Sequence, residues 1–447
     1  MTRVQSIAVA LLCLAAQAAF AQELTDVEKR QEDFAQFRRD FFDKDRSYAP
    51  AARREAEQQL VEIEKNLALI GQTEFELSLA RVAALSDNGH SGGSPSTRSR
   101  RHERVDMRLT PFGEEFYVLR VKSENADLLG ARLVSIDGMP IALLRPIYRS
   151  LDGGTPAWRD RTAPYFLESP PQLRAMGAGK VEKAATPPVY GFVTVDGKNV
   201  ERTFTVSPAG ADRVGGHATR WMFPALAPLE DRAWKTLLEP ERAPWALQEP
   251  VNRLRIRHDA ALNAVVIDMR QSSSSAEMKL KDYFGAVEKL IEETKPLHLV
   301  LDLRLNGGGD LTQTRDVAER LPKLVKGRIF ALTSPWTFSA AISTLGYLKQ
   351  AAPDRVTIVG EAVGDRLEFF AEGKFITLKH SKEGYLHATE RHDYRNGCAK
   401  FDDCHRSVVS RPIAVASLAP DIAAPWTIEA YRAARDPAME AVAKAIR

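Results

Sequence analysis

The chain has 447 residues, 44% of them hydrophobic and 27% charged, enough for two to three domains with a sizeable core. Its formal charge of +3, spread evenly, excludes the strongly basic profile of a nucleic-acid binder. Past the N-terminus no apolar run approaches the roughly twenty residues that cross a bilayer, so stable membrane insertion is not expected.

Residues 1–21 read as a secretory signal, with Arg3 in a positive leading region, Ile7–Ala19 as the apolar stretch and Ala19-Phe20-Ala21 as a small-x-small cleavage site. Cleavage starts the mature chain at Gln22 and predicts export across the inner membrane, to the periplasm. Cys13 follows Leu12 rather than a small residue, which does not fit lipoprotein-type processing. Loss of Cys13 leaves Cys398 and Cys404, which in an oxidising compartment close a short loop as a disulfide. One neighbouring histidine, His405, does not complete a metal cage.

Residues 22–104 are predicted to be a helical region. Phe34, Phe37 and Phe41, then Leu60, Ile63 and Leu67, recur at helical spacing, with a break near Tyr48-Ala49-Pro50 where proline restricts the residue before it. Gly89–Ser96 reads as a glycine–serine loop. Arg98–Arg104 is the one basic cluster and reads as a solvated loop rather than a polyanion site. Residues 105–208 turn to strands, at Phe116–Val121, Ala131–Ile136, Tyr190–Val195 and Thr203–Val206. Residues 209–250, rich in proline, tryptophan and arginine, read as a packed connector. From about Val265 to Gly360 strand and helix alternate, predicting an α/β layer within residues 251–447.

The chemistry concentrates in that last region. Leu299–Asp310 is an apolar run that closes on Asp302 and Arg304 and then opens into Gly307–Gly309, a turn whose N–H groups can face a ligand. After a second apolar strand, Ile329–Thr333, Ser339 sits among small residues at a strand-to-helix turn. A serine so presented, beside a glycine loop able to bind an oxyanion, is the minimum apparatus for acyl transfer.

These motifs resemble those of the tail-specific, or carboxyl-terminal-processing, serine peptidases, whose relatives include the tricorn core protease and the interphotoreceptor retinoid-binding repeats. Asp302–Gly309 matches the family's glycine turn, and Ser339-Ala340-Ala341 its nucleophile motif, with Ile342 where glutamate is usual. Val359-Gly360-Glu361 with Gly364, Pro420–Ile422 and Arg435–Pro437 match further segments in order. The resemblance implies an α/β fold with a ClpP/crotonase-type catalytic domain and, from Gly130–Pro140, a β-rich PDZ-like insert that would hold peptide by strand addition. It implies no cofactor.

The general base follows from what occupies each position. The lysine register of one branch falls on Arg366, and arginine stays protonated. The tricorn-like branch takes a histidine from far upstream, and Ala84–Ser91 (ALSDNGHS) offers His90, with Asp87 as a possible orienting group. That branch has a serine before the histidine, where Gly89 stands here, and a distant glutamate for which Glu361, Glu383 and Glu390 are candidates. The family pattern maps the oxyanion hole to the N–H groups of Gly308 and Ala340. Asp302 and Arg304 are expected to brace the glycine turn. The leading expectation is a secreted serine peptidase acting on peptides or unfolded protein segments. The alternative is a binding protein of the same fold that has lost turnover, and a third keeps the chemistry but moves it to small esters.

Overall fold

A computed structural model describes residues 24–177, 187–210, 222–225 and 233–447. The expected signal segment lies outside the described residues. Among those described, no helix is long and apolar enough to cross a membrane.

The chain opens with three helices, α1 (Asp26–Phe37), α2 (Pro50–Asn66) and α3 (Gln72–Ala84). Thr25 and Glu28 form a reciprocal capping box that starts α1, and Pro50 occupies the first turn of α2, where its missing N–H costs nothing. Phe34, Phe37, Phe41, Leu60, Ile63 and Leu67 all turn inward, as their spacing predicts. Their cluster is completed by Leu378 and Tyr385 from far along the chain. The helices are therefore built onto the C-terminal half rather than standing alone.

The predicted glycine–serine loop contains a two-residue strand, β1 (Gly92–Gly93), and is followed by a turn of helix, Pro95–Ser99. Most of the basic cluster is not solvated, although Arg100 is exposed. Arg98 is fully buried and ion-pairs with Glu383 at 2.7 Å; Arg101 binds both Glu383 and Glu76, and His102 lies 3.0 Å from Glu76. Arg104 pairs with buried Glu168. Paired carboxylates let these cations leave water, which a linear reading of charge cannot anticipate.

An antiparallel sheet follows, with β2 (Met107–Phe112), β3 (Glu115–Lys122), β4 (Arg132–Ile136), β5 (Tyr190–Val193), β6 (Asn199–Arg202) and β7 (Trp234–Thr236), ordered β7-β3-β4-β5-β6, and β2 also on β3. Asp137 and Gly138 both take positive φ and turn β4 into the short strand Met139–Pro140. Two predictions are corrected here. Of the strand expected at Thr203–Val206 only Val206 is in one, the short pair Val206–Ser207 with Arg104–Val105; the sheet strand is Asn199–Arg202, a half-exposed edge whose polar residues hide the signal, and Trp234–Thr236 in the expected connector is a strand of this sheet. Helices α4 (Ile141–Arg149) and α5 (Pro156–Thr162) lie between β4 and β5 in sequence.

The C-terminal half is built on a six-stranded sheet of β8 (Leu254–Asp259), β9 (Ala264–Met269), β10 (His298–Asp302), β11 (Ile329–Thr333), β12 (Val356–Gly360) and β17 (Ile422–Ala423), in that order, parallel except for the β8–β9 pair. The missing numbers belong to two hairpin-like pairings: β13 (Glu368–Ala371) with β16 (Glu390–Asp393), and β14 (Lys374–Thr377) with β15 (Gly384–His387), which also carries β1. Strands β9 to β12 are connected by α6 (Leu280–Thr294), α7 (Arg315–Leu324) and α8 (Ala340–Ala351). Val265, Ile267, Leu299, Leu301, Ile329, Ala331 and Ile358 face those helices, while Val266, Val300, Phe330, Leu332 and Val359 face α9 (Pro437–Ile446) through Ala438 and Val442. Burial of both faces is why β10 and β11 read as unbroken apolar runs. Each parallel strand leaves the sheet at the same edge, so the loops after β10, β11 and β12 gather there.

Two outcomes follow. Glu383→Ala strips Arg98 of its carboxylate in a fully buried site and should cost about 3–5 kcal/mol in urea denaturation; a loss within experimental error would contradict the pairing. Cys398 and Cys404 are joined as a disulfide, so thiol titration of denatured, unreduced protein spanning residues 22–447 should find none, and two after reduction.

Candidate active site

The loop after β10 is fixed before it reaches its glycines. Arg304 is buried and lays its guanidinium on Asp302, through Nε at 3.0 Å and Nη2 at 2.7 Å. Its other edge grips Asp436, at 2.7 and 2.9 Å, the residue that caps α9. The two carboxylates hold its pKa well above the arginine range, against the penalty of burial. Asn306 then donates to the Met269 carbonyl and accepts the Gly308 N–H at 2.9 Å. Gly308 has φ +106°, and a Cβ there would sit 2.6 Å from Ser339 Cβ. Only glycine permits that approach.

The loop after β11 hangs on this one. Ser334 Oγ donates to the Arg304 carbonyl at 2.5 Å, Thr337 Oγ1 to the Leu303 carbonyl at 2.9 Å, and the Phe338 N–H to the Asn306 carbonyl at 3.0 Å. The result is a forced turn at Ser339, φ +54° and ψ −127°, immediately before α8. A non-glycine residue in that region is strained by about 1–3 kcal/mol, and such strain gathers at functional turns. Ser339 makes no side-chain cap, is only partly buried, and sits at a sharp strand–turn–helix elbow. The Ala340 N–H, at the first turn of α8, has no acceptor among the described residues. Ile342, where a glutamate was expected, is fully buried in the apolar core.

His90 reaches this edge from the N-terminal region. Asn88 docks its loop by pairing with β13 as a strand would, accepting the Phe370 N–H at 3.1 Å and donating to the Phe370 carbonyl at 2.9 Å. The imidazole is sandwiched between Phe338, the residue before Ser339, at 4.3 Å and Phe369 at 4.8 Å. Trp158 stacks on the far side of Phe338 at 3.6 Å, and His392 on the far side of Phe369 at 5.0 Å. The ring is thus held flat in a column. His90 Nδ1 lies 3.3 Å from Asp365 Oδ2, within ion-pairing distance though not aligned as a hydrogen bond. Nε2 is buried and unbonded, so no hydrogen bond joins it to Ser339.

Asp365, from the loop after β12, was not singled out by the sequence; its place after Gly364 was the only local signal. The four carboxylates suggested by the sequence, Asp87, Glu361, Glu383 and Glu390, are engaged elsewhere. Asp87 is held by Arg159 and, at 2.8 Å, by Arg366, the latter also donating to the Asp87 carbonyl. Glu361 accepts weakly from the Trp426 N–H at 3.4 Å, and burial raises its pKa against the pull of Arg304. Glu383 belongs to the Arg98 cluster, and Glu390 holds His405 Nδ1. The Gly308 N–H, expected in the oxyanion hole, is already donated to Asn306. Asp302 and Arg304 brace the turn. Among the described residues no cluster of metal-ligating side chains forms.

No family model matches the chain, and no curated protein matches it. Its fold is like that of mature CPAF complexed with lactacystin, with a TM-score of 0.55 at 13% identity over 94% of this chain and 97% of that one. Two further solved structures align over most of both chains. The photosystem II D1 C-terminal processing protease covers 95% of this chain and 97% of its own, with 13% identity and a TM-score of 0.40. An S41 protease from Bacteroides fragilis covers 93% and 96%, with 12% identity and a TM-score of 0.36. All three structure neighbours are proteases of the tail-specific family, the one the sequence motifs resemble. The chain is a mixed α/β protein similar in fold to mature CPAF.

The glycine turn yields a paired outcome. Gly308→Ala should destabilise the protein by about 1–3 kcal/mol in urea denaturation, because its Cβ meets Ser339. Gly307→Ala, which meets nothing within 4 Å and has no positive φ, should be nearly neutral. Equal effects would show that Gly308 is not wedged against Ser339.

Proposed function

We propose that the protein is a secreted serine peptidase that hydrolyses peptide bonds in peptides or unfolded protein segments. The observation that carries this reading is the strained, uncapped Ser339 turn, with a buried and otherwise unbonded imidazole stacked on the residue before it. A serine hydroxyl needs a base, and a histidine oriented by a carboxylate supplies one near neutral pH. In this reading Ser339 Oγ attacks the substrate carbonyl carbon while His90 Nε2 takes its proton. Asp365 beside Nδ1 fixes the ring and stabilises the imidazolium. The Ala340 N–H receives the developing oxyanion; Gly308 joins it only by exchanging its Asn306 bond for the substrate oxygen. His90 then gives its proton to the leaving amine, and a water repeats the sequence on the acyl-enzyme. Ser339 and His90 must come into hydrogen-bond contact for this, a tightening that substrate binding commonly supplies.

The parallel sheet with its crossover helices on one face supports a ClpP/crotonase-type catalytic domain over residues 251–447. The β2–β7 sheet supports a PDZ-like unit around residues 105–208, and the N-terminal helical region, residues 22–104, carries the base. The disulfide fits an exported protein.

Ser339→Ala should lower peptide hydrolysis by several orders of magnitude and abolish labelling by a fluorophosphonate probe, with the far-UV spectrum unchanged. Asp365→Asn should lower kcat on the order of 10²–10⁴-fold, whereas Asp87→Asn should not. Wild-type protein that neither hydrolyses peptides nor takes the probe would be a binding protein of this fold, and Asp87 outweighing Asp365 would reject the assigned carboxylate.

A further inference from the structure

A second feature of the molecule is unused by this chemistry. A cavity of ≈ 260 Å³ opens between the β2–β3 turn, helix α5 and the loops that follow β10 and β11. Its apolar walls include Phe112, Leu305, Trp336 and Trp426. Three arginines line it, and two are satisfied. Arg304 holds Asp302 and Asp436, and Arg149 binds Asp160 through Nε at 2.7 Å.

Arg161 is different. It is 6% exposed, its side chain has no hydrogen bond or ion pair among the described residues, and its Nε is buried without a partner. Its guanidinium carbon lies 3.1 Å over the Trp158 ring and 4.9 Å from that of Trp336. Indole faces stabilise a cation, but they leave its N–H edges unanswered. The carboxylate that acts on it through space, Asp152, makes no contact with it and is held instead by Thr162 Oγ1 and the Gly153 N–H, each at 3.0 Å. Burial draws the Arg161 pKa down to about 9, with Asp152 opposing, so the group is still charged at neutral pH. A buried cation lacking a direct counter-ion is costly, and a planar guanidinium is suited to a carboxylate.

We infer that this cavity is a binding site for a small organic monocarboxylate with a compact apolar or aromatic body, its carboxylate on Arg161 and its body among Phe112, Leu305, Trp336 and Trp426. The volume is many times the roughly 10–15 Å³ that one water needs by the same measure, so a compact organic molecule has room. Of the carboxylates that also line the cavity, Asp160 is held by Arg149, Glu114 pairs with Arg145 and Arg149, and burial raises the pKa of Glu361. One unanswered positive charge selects one negative charge.

The test is calorimetric titration of the full mature chain at neutral pH with 3-phenylpropanoate and with its neutral isostere 3-phenylpropanamide, on wild type and on Arg161→Gln. Saturable one-to-one binding of the acid is expected, at least tenfold weaker for the amide and at least tenfold weaker in the variant. Should Arg161→Gln fail to fold, the ratio of acid to amide on wild type decides alone. Absence of saturable binding up to about 10 mM, a dissociation constant beyond any useful affinity, overturns the inference, as do equal affinities for acid and amide. Binding is read directly, so the result is independent of whether Ser339 turns over substrate.

Discussion

A buried arginine holding two carboxylates fixes the loop from which the rest of the site is hung. Arg304 joins the end of β10, through Asp302, to the start of the last helix, through Asp436. Its carbonyl receives Ser334, and the neighbouring Leu303 and Asn306 carbonyls receive Thr337 and Phe338. The serine turn is therefore a dependent structure. Its unfavourable φ persists because three residues before it, Ser334, Thr337 and Phe338, are tied down. Two motifs far apart in sequence, around Asp302 and around Asp436, turn out to be the two sides of one ion cluster.

The second constraint is how the N-terminal region is held. Asn88 imitates a strand residue against Phe370, β1 adds to β15, and Arg98 and Arg101 share Glu383 across the same junction. None of these contacts is strong alone, and buried ion pairs return little net stability because desolvation offsets their attraction. Their value is geometric: each is satisfied in one arrangement only. That arrangement places His90 in a column of flat rings, Trp158, Phe338, His90, Phe369 and His392, where it cannot rotate without displacing its neighbours. The column ties the proposed base to the proposed nucleophile's own loop.

How much of this was legible in the sequence depends on whether a signal is local. Strand Ile329–Thr333 was read to the residue, since a strand buried on both faces is a continuous apolar run bounded by polar turns. The bracing role of Asp302 and Arg304, and the helical spacing within residues 24–86, are local patterns too. Asp365 was not legible: it is one of 59 acidic residues, and nothing in the chain says which of them folding brings to His90. The run Arg98–Arg104 was misread for the converse reason. Its partners Glu76, Glu168 and Glu383 are distant in sequence, so a buried ion network looked like a solvated loop. The same holds for the Gly308 N–H, whose engagement with Asn306 depends on a turn geometry that spacing does not encode.

The central claim is that Ser339 and His90 act on one substrate carbonyl, although no hydrogen bond joins them in the unliganded chain. A peptidyl chloromethyl ketone tests this directly, because in a serine–histidine site it is attacked by the serine and alkylates the base. Crystallography of the treated protein should show a single inhibitor bonded to both Ser339 Oγ and His90 Nε2, with its oxygen on the Ala340 N–H. Modification of neither residue, or alkylation at a different histidine with Ser339 untouched, would contradict the account.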